Sequence, residues 1–345
     1  AHDDTAVKQL IVQKLEQMIN VEHEAIDYDR FSSKLLQFIE DDWYNYNFEA
    51  YDRKREDFEK EILLDISSKT RLSLERLGLI QYNYRDLTTH EEFKTLWNSV
   101  RSQTFLTKTM SSKVSNILEL TSPMSKFLDL FIITILNTIR REEALEGLEN
   151  KKEQTKTFAH GFEFVRGGKS KKDHYGVRIH NLVRKNNKFI KYAKKVFQLE
   201  EHDDAVDLLE VIWNFLEKRG YLIPRPLLMY GYESIMGFVV STGKIMLSVP
   251  KSIDKCPNCK NIFTNIPNNE CLTYTRQKFC GGKTTKIDFK EYEKQTENSY
   301  FFDLFKNNIP SRMITKEHTG ALSESLRNNI QVGFMAYAQK DRKVD

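Results

Sequence analysis

All four cysteines of this 345-residue chain, Cys256, Cys259, Cys271 and Cys280, fall within one short window. The first two close a C-P-x-C turn, and the others follow after 11 and then 8 intervening residues. A C-x2-C turn presents two thiolates from one knuckle. A second arm that brings two more completes a tetrahedron with bonds of about 2.3 Å, the arrangement of a zinc ribbon. Ile262 and Phe263 are placed to pack under such a ribbon, and Gly281 and Gly282 relax the backbone where the second arm must turn. Four thiolates leave no open position for water, so the expected Zn2+ is structural and not catalytic. The C-x8-C half departs from the usual C-x2-C, which leaves open that a neighbouring group replaces Cys271 or Cys280. Two disulfides are the other use of four cysteines. So few in a chain of this length without a secretory leader argue against them and for a cytoplasmic protein.

Length sets the frame for the rest, since 345 residues exceed one ordinary core and predict two or three modules. The net charge of +4 conceals a strong asymmetry. Residues 1–65 carry 8 Lys/Arg against 17 Asp/Glu, whereas residues 166–195 carry 11 Lys/Arg against the single acid Asp173. The longest apolar stretch, Phe127–Ile139, is short and interrupted by Asp129, so no membrane span is expected. A start at Ala1 without Met suggests a fragment or a processed chain.

The expected fold class is mainly α, with α+β parts. A helical module spans 1–150. Its first helix is marked by Val7, Leu10, Ile11, Leu15, Met18 and Ile19, its second by Phe31, Leu35, Leu36 and Ile39, and its third by Ile62, Leu63 and Ile66. The segment 71–84 predicts a helix capped by Gly78 and then a short strand, and residues 91–120 read as helical. Pro123 opens a helix apolar nearly all round, the expected buried centre of the module, and the charged run 140–156 reads as a boundary or an exposed helix. A basic helical and winged-helix-like module spans 151–250. In it a helix capped by Asp203 or Asp204 ends at Gly220, residues 221–226 are extended, and residues 238–249 form a hairpin around Gly243. The zinc ribbon spans 251–290, and one helix is expected over 291–307.

The basic run lies inside the second module. A glycine-rich loop over 166–176 precedes a helix, and Arg166, Lys169, Lys171, Lys172, Arg178, Arg184, Lys185, Lys188 and Lys191 are its candidate phosphate contacts, DNA more than RNA. Tyr175, Phe189 and Tyr192 are available to stack on bases or to pack inside. The GGKS sequence is not a nucleotide-binding P-loop: Glu163 stands where the first glycine belongs, and no buried strand is expected before it. No residue is assigned a catalytic role, because no carboxylate cluster or nucleophile–base pair stands out.

Two further stretches carry a resemblance. Arg71, Ser73, Leu74, Glu75, Gly78 and Leu79 form R-x-S-L-E-x-x-G-L, and Glu317, His318, Thr319 and Gly320 form EHTG, followed by Leu322, Arg327, Ile330 and Phe334. With the cysteine cluster between them, these resemble large prokaryotic superfamily 2 DEAD/DEAH-box helicases of the kind found in anti-phage defence loci. The resemblance implies an interlobe region, with winged helix and zinc ribbon, that continues into a partial second RecA-like α/β lobe over 291–345. It also implies that ATP and Mg2+ are bound by the remaining helicase lobes: this chain has no P-loop, DEAH box or arginine-finger motif, and it stops where motif V is expected. The resemblance touches about half the chain. The alternative is a standalone zinc-stabilised module that binds protein through its acidic N-terminal helices.

Overall fold

The computed structural model describes residues 4–22, 25–41, 55–68, 72–87, parts of 91–98, 123–141, 144–148, 162–165, 178–181, 188–227, 235–275, 278–296 and 299–306. Three N-terminal helices, α1 (Asp4–Glu22), α2 (Tyr28–Asp41) and α3 (Arg55–Ile66), bury the apolar positions expected of them, and a two-residue strand β1 (Ile26–Asp27) separates the first two. Residues 72–79 form successive turns instead of the expected helix. The turns end as anticipated at Gly78, whose φ is +75°, and β2 (Gln81–Tyr84) follows with alternating burial. An added Cβ on Gly78 would lie 3.0 Å from the Ile253 side chain and 3.1 Å from Tyr292, so backbone and packing both select glycine there.

Helix α4 (Pro123–Arg141) is the centre of the core. Phe131, Ile132, Ile135, Leu136 and Ile139 are fully buried. Each contributes about 1.5–3 kcal/mol by leaving water, and Leu136→Ala should cost roughly 2–5 kcal/mol. The Thr134 and Thr138 hydroxyls donate to the carbonyls of Leu130 and Thr134, which lets two polar residues sit within the helix.

The charged run that begins at Arg140 is neither a boundary nor an exposed helix where it is described. Arg140 is fully buried, and residues 144–148 thread against the sheet, with a parallel bridge between Leu145 and Val240. The Glu146 carboxylate accepts from the Ser241 hydroxyl and the Thr242 backbone at 3.1 Å each.

A four-stranded sheet has the order β4 (Arg178–Asn181), β3 (Phe162–Val165), β6 (Ile235–Val240), β5 (Leu222–Leu227), with β3 and β4 parallel and the other pairs antiparallel. One expectation changes here. Residues 178–181 are a strand, so the described basic helix is α5 (Lys188–Phe197), and β3 precedes the GGKS sequence. Glu163 still occupies the place of the missing glycine. Helix α6 (His202–Lys218) begins at Glu201, and neither Asp203 nor Asp204 caps it; both sit in its first turn, where they favour the helix dipole. Its other end is a Schellman cap: Gly220 has φ +70°, its N–H donates to Glu217 O, and Tyr221 N–H donates to Leu216 O.

The hairpin expected over 238–249 does not form. A 3-10 turn at Thr242–Lys244 sends β6 and β7 (Ile245–Ser248) into different sheets, and β7 lies between β1 and β2. The antiparallel partners of β6 are β3 and β5. Apolar residues marked both strands without marking their partners.

The last sheet has β8 (Ser252–Lys255) between β12 (Thr285–Asp288) and β9 (Ile262–Phe263), and β10 (Tyr274–Thr275) pairs with β11 (Lys278–Phe279) beside it. The single helix expected over 291–307 is two, α7 (Phe289–Thr296) and α8 (Tyr300–Lys306). Helix α8 packs on α1: Gln9 Nε2 donates to Leu304 O at 2.7 Å, and Lys306 pairs with Glu16 and Glu293. One continuous apolar cluster thus runs from Val7 to Phe305 in a mixed α+β chain. Among the described residues no helix is long and apolar enough to cross a membrane.

Candidate metal centre

The four thiols converge. β8 carries Cys256 into a tight turn in which Lys260 N–H donates to Cys256 O and Cys256 N–H donates to Asn261 O, each at 3.0 Å. This turn presents Cys259 beside Cys256. The second pair is brought together by the β10–β11 hairpin, whose register sets Tyr274 opposite Phe279. Cys280 N–H donates to Thr273 O and Cys271 N–H to Gly282 O, each at 2.9 Å. A hairpin therefore does across eight residues what a knuckle does across two.

All four Sγ atoms lie within 4.8 Å of one another, with Cys256–Cys280 at 3.7 Å and Cys259–Cys271 at 3.5 Å. Bonds of 2.3 Å to one ion require S···S edges of about 3.8 Å, so the cluster fits a tetrahedral metal ion. All four cysteines are free, so neither disulfide forms and neither Cys271 nor Cys280 is displaced from the cluster. The two glycines have separable reasons: Gly281 has φ +72°, and a Cβ on Gly282 would come within 2.7 Å of Cys256 Sγ.

Polar neighbours tune the sulfurs. The Thr273 hydroxyl lies 3.4 Å from Cys259 Sγ and 3.3 Å from Cys271 Sγ, and it accepts from Asn261 Nδ2 at 2.8 Å. With an acceptor position filled by Asn261, its proton is free to support a thiolate. Partial burial disfavours the Cys259 thiolate, yet the Thr273 hydroxyl and the Asn261 backbone outweigh it and bring this thiol down to about 7. Burial pushes Cys271 up to about 12. A cation on all four ligands removes that difference, because each thiolate is a ligand only when deprotonated.

The ribbon is welded to the core by polar contacts that the sequence pattern did not reveal. Tyr192 donates to Leu272 O at 3.0 Å, Lys191 Nζ to Tyr274 Oη at 2.6 Å, and Lys195 pairs with Glu270 at 2.9 Å. Asn265 donates to Tyr82 O and accepts from Gln81, which ties the ribbon to β2. Of the candidate phosphate contacts, Lys191 is thus engaged within the protein, and Lys188 is half-buried at a cleft beside the knuckle. Arg178 lies on β4. Arg166, Lys169, Lys171, Lys172, Arg184 and Lys185 lie outside the described residues, as does Tyr175. Phe189 and Tyr192 are buried and pack inside, not free to stack on bases. Arg71, Glu317, His318, Thr319, Gly320 and Arg327 also lie outside the described residues.

A second polar cluster was missed altogether. Glu75 lies between Arg140, at 2.6 Å, and Arg141, which binds it through two nitrogens. Arg140 also donates to Ile66 O and stacks 4.0 Å over the Tyr82 ring. Burial disfavours the Glu75 carboxylate, but the two guanidinium groups overcome it and hold the group near 2. The only sequence signal for this cluster was a pair of arginines at the end of an otherwise apolar helix.

Comparison with known proteins finds no matching family model, no matching curated protein and no matching solved structure.

Proposed function

We propose that this chain is a non-catalytic accessory region of a DEAD/DEAH-type helicase, in which a structural zinc ion staples a ribbon to a helical core and a basic segment contacts nucleic-acid phosphates. The convergence of four thiols carries the reading, because a closed S4 donor set suits zinc held for structure. The ribbon docks on α5, the helix that ends the basic run, so the metal would fix the base from which that run extends. The order α4, β3, β4, α5, α6, β5, β6 is read as winged-helix-like; the hairpin expected over 238–249 does not form, and the antiparallel pair β5–β6 stands in for the wing in this reading.

In this reading α6 does not enter a DNA groove. Its exposed face carries Glu201, Asp203, Asp207 and Glu217, which would repel phosphates. Phosphate contact falls instead to residues 166–185. ATP and Mg2+ would belong to the partner lobes of the motor. The test is binding of single- and double-stranded DNA against salt concentration. Affinity should fall steeply with salt, and Lys171→Ala with Lys172→Ala should reduce the slope by about 2, whereas a flat response removes the reading.

The acidic face of α6 favours a second reading, a zinc-stapled module that binds a basic protein. Loss of DNA binding with retained capture of a basic peptide would select it.

A further inference from the structure

A cleft of about 740 Å³ lies between α4, the 72–79 turns, α5 and the first knuckle. Among the described residues four cations line it, Arg76, Arg141, Lys188 and Lys260, and no carboxylate does. Glu75 lies behind Arg141 and holds it through Nε and one terminal nitrogen, and the other terminal nitrogen makes no hydrogen bond among the described residues. Arg76 donates its backbone N–H to Ser73 Oγ at 3.3 Å, but among the described residues its guanidinium makes no hydrogen bond or salt bridge.

The metal centre does not account for this charge. A divalent ion on four thiolates leaves two negative charges, against four cations in the cleft and a fifth, Arg140, behind it. Among the described residues Glu75 offsets one of these, and even with Lys188 left out of the count, because it has a contact of its own, one positive charge remains.

Backbone geometry points the same way. Lys260 has φ +60°, a left-handed conformation that glycine adopts without penalty and a lysine adopts at a cost of about 1 kcal/mol. A cationic side chain is held there at the cleft although a glycine would fold more easily. The volume leaves room for more than a bare phosphate, since clefts of about 300–1,000 Å³ accommodate ligands of nucleotide size. Among the described residues Asn137 Nδ2 and Asn261 Oδ1 make no hydrogen bond, and Phe263 supplies an aromatic wall.

We propose that this cleft binds a nucleoside phosphate, with Arg76, Arg141, Lys188 and Lys260 around the phosphate and the amides and Phe263 around the base. The residues that would form this site lie outside the 166–185 run in sequence. The ligand is either a free nucleotide or the phosphorylated end of a strand, which present the same chemistry.

The test uses the full zinc-loaded chain and a fluorescent adenine nucleotide, with adenosine, pyrophosphate and a 5′-phosphorylated or unphosphorylated oligonucleotide as competitors. The nucleotide should bind with micromolar affinity and adenosine should not compete. Competition by the 5′-phosphorylated strand alone among the oligonucleotides identifies a strand end as ligand, and no competition by either identifies the free nucleotide. Lys260→Gly removes one cation and relieves the backbone, so the fold is kept; it should weaken binding at least threefold. Arg76→Gln should weaken it at least tenfold with zinc content unchanged. Lys171→Ala with Lys172→Ala should leave nucleotide affinity unchanged while weakening long DNA, which separates this site from the proposed phosphate-binding run. Failure to bind at millimolar nucleotide, equal binding of adenosine, or unchanged affinity in both Lys260→Gly and Arg76→Gln would overturn the proposal.

Discussion

Two buried polar clusters hold this molecule together, and they do so by different physics. The thiol cluster gathers residues within a 25-residue window, and as four thiolates it would need an ion to offset their repulsion. The Glu75–Arg140–Arg141 cluster joins segments 65 and 66 residues apart and carries its own countercharge. The first, with a metal ion bound, would be a local staple whose strength is set by metal concentration and pH. The second is an internal strut whose strength is set by desolvation against Coulomb attraction. Removing one member is costly in both, because a buried charge is left unpaired.

The largest expected effect comes from the ion. Chelation, or Cys256→Ser, should unfold residues 252–288 and expose them to protease, because structural zinc sites supply roughly 10 kcal/mol or more of folding free energy in small domains. A ribbon that stays protected after the metal is gone would mean that the Tyr192, Lys191 and Asn265 contacts suffice. Next is the strut. Arg140→Ala should cost about 3–5 kcal/mol in urea unfolding, while replacing Glu75 and both arginines together with apolar residues should cost far less. A single and a triple replacement of equal cost would show that the salt bridges themselves contribute the stability.

Acid distinguishes the two clusters further. Glu75 is depressed in the folded state from about 4.5 to about 2, so its contribution is complete above pH 4.5 and is lost as pH falls toward 2. That contribution is about 3 kcal/mol, and Glu75→Gln should flatten this acid limb. The thiol site should release its metal at a higher pH, since protons compete for every ligand. Metal release and unfolding followed on the same samples check both. The smallest effect is expected for Lys191→Met, about 0.5–1.5 kcal/mol, from loss of the hydrogen bond to Tyr274.

What was legible follows from range in the sequence. Helices α1, α2 and α4 were readable because their apolar positions recur every three or four residues, and the Gly78 and Gly220 ends because a positive φ selects glycine. The β6–β7 hairpin was misread because an apolar pattern reports a buried face and not a partner; the 3-10 turn at Thr242 diverts the chain, and Glu146 from a distant segment binds that turn. The run from Arg140 reads as a boundary or an exposed helix because charge is usually exposed, and a glutamate 65 residues away, with Ile66 O and Asn137 Oδ1, makes the burial of Arg140 tolerable.

Sequence alone determined the candidate thiols, the helix faces and the glycines, because each depends on neighbours close in the chain. Tertiary structure decided which strands pair, that a hairpin brings Cys271 and Cys280 together, and that the cations of four segments meet at one cleft. Those depend on contacts between distant residues, whose cost in chain entropy is offset only once the core has formed around them.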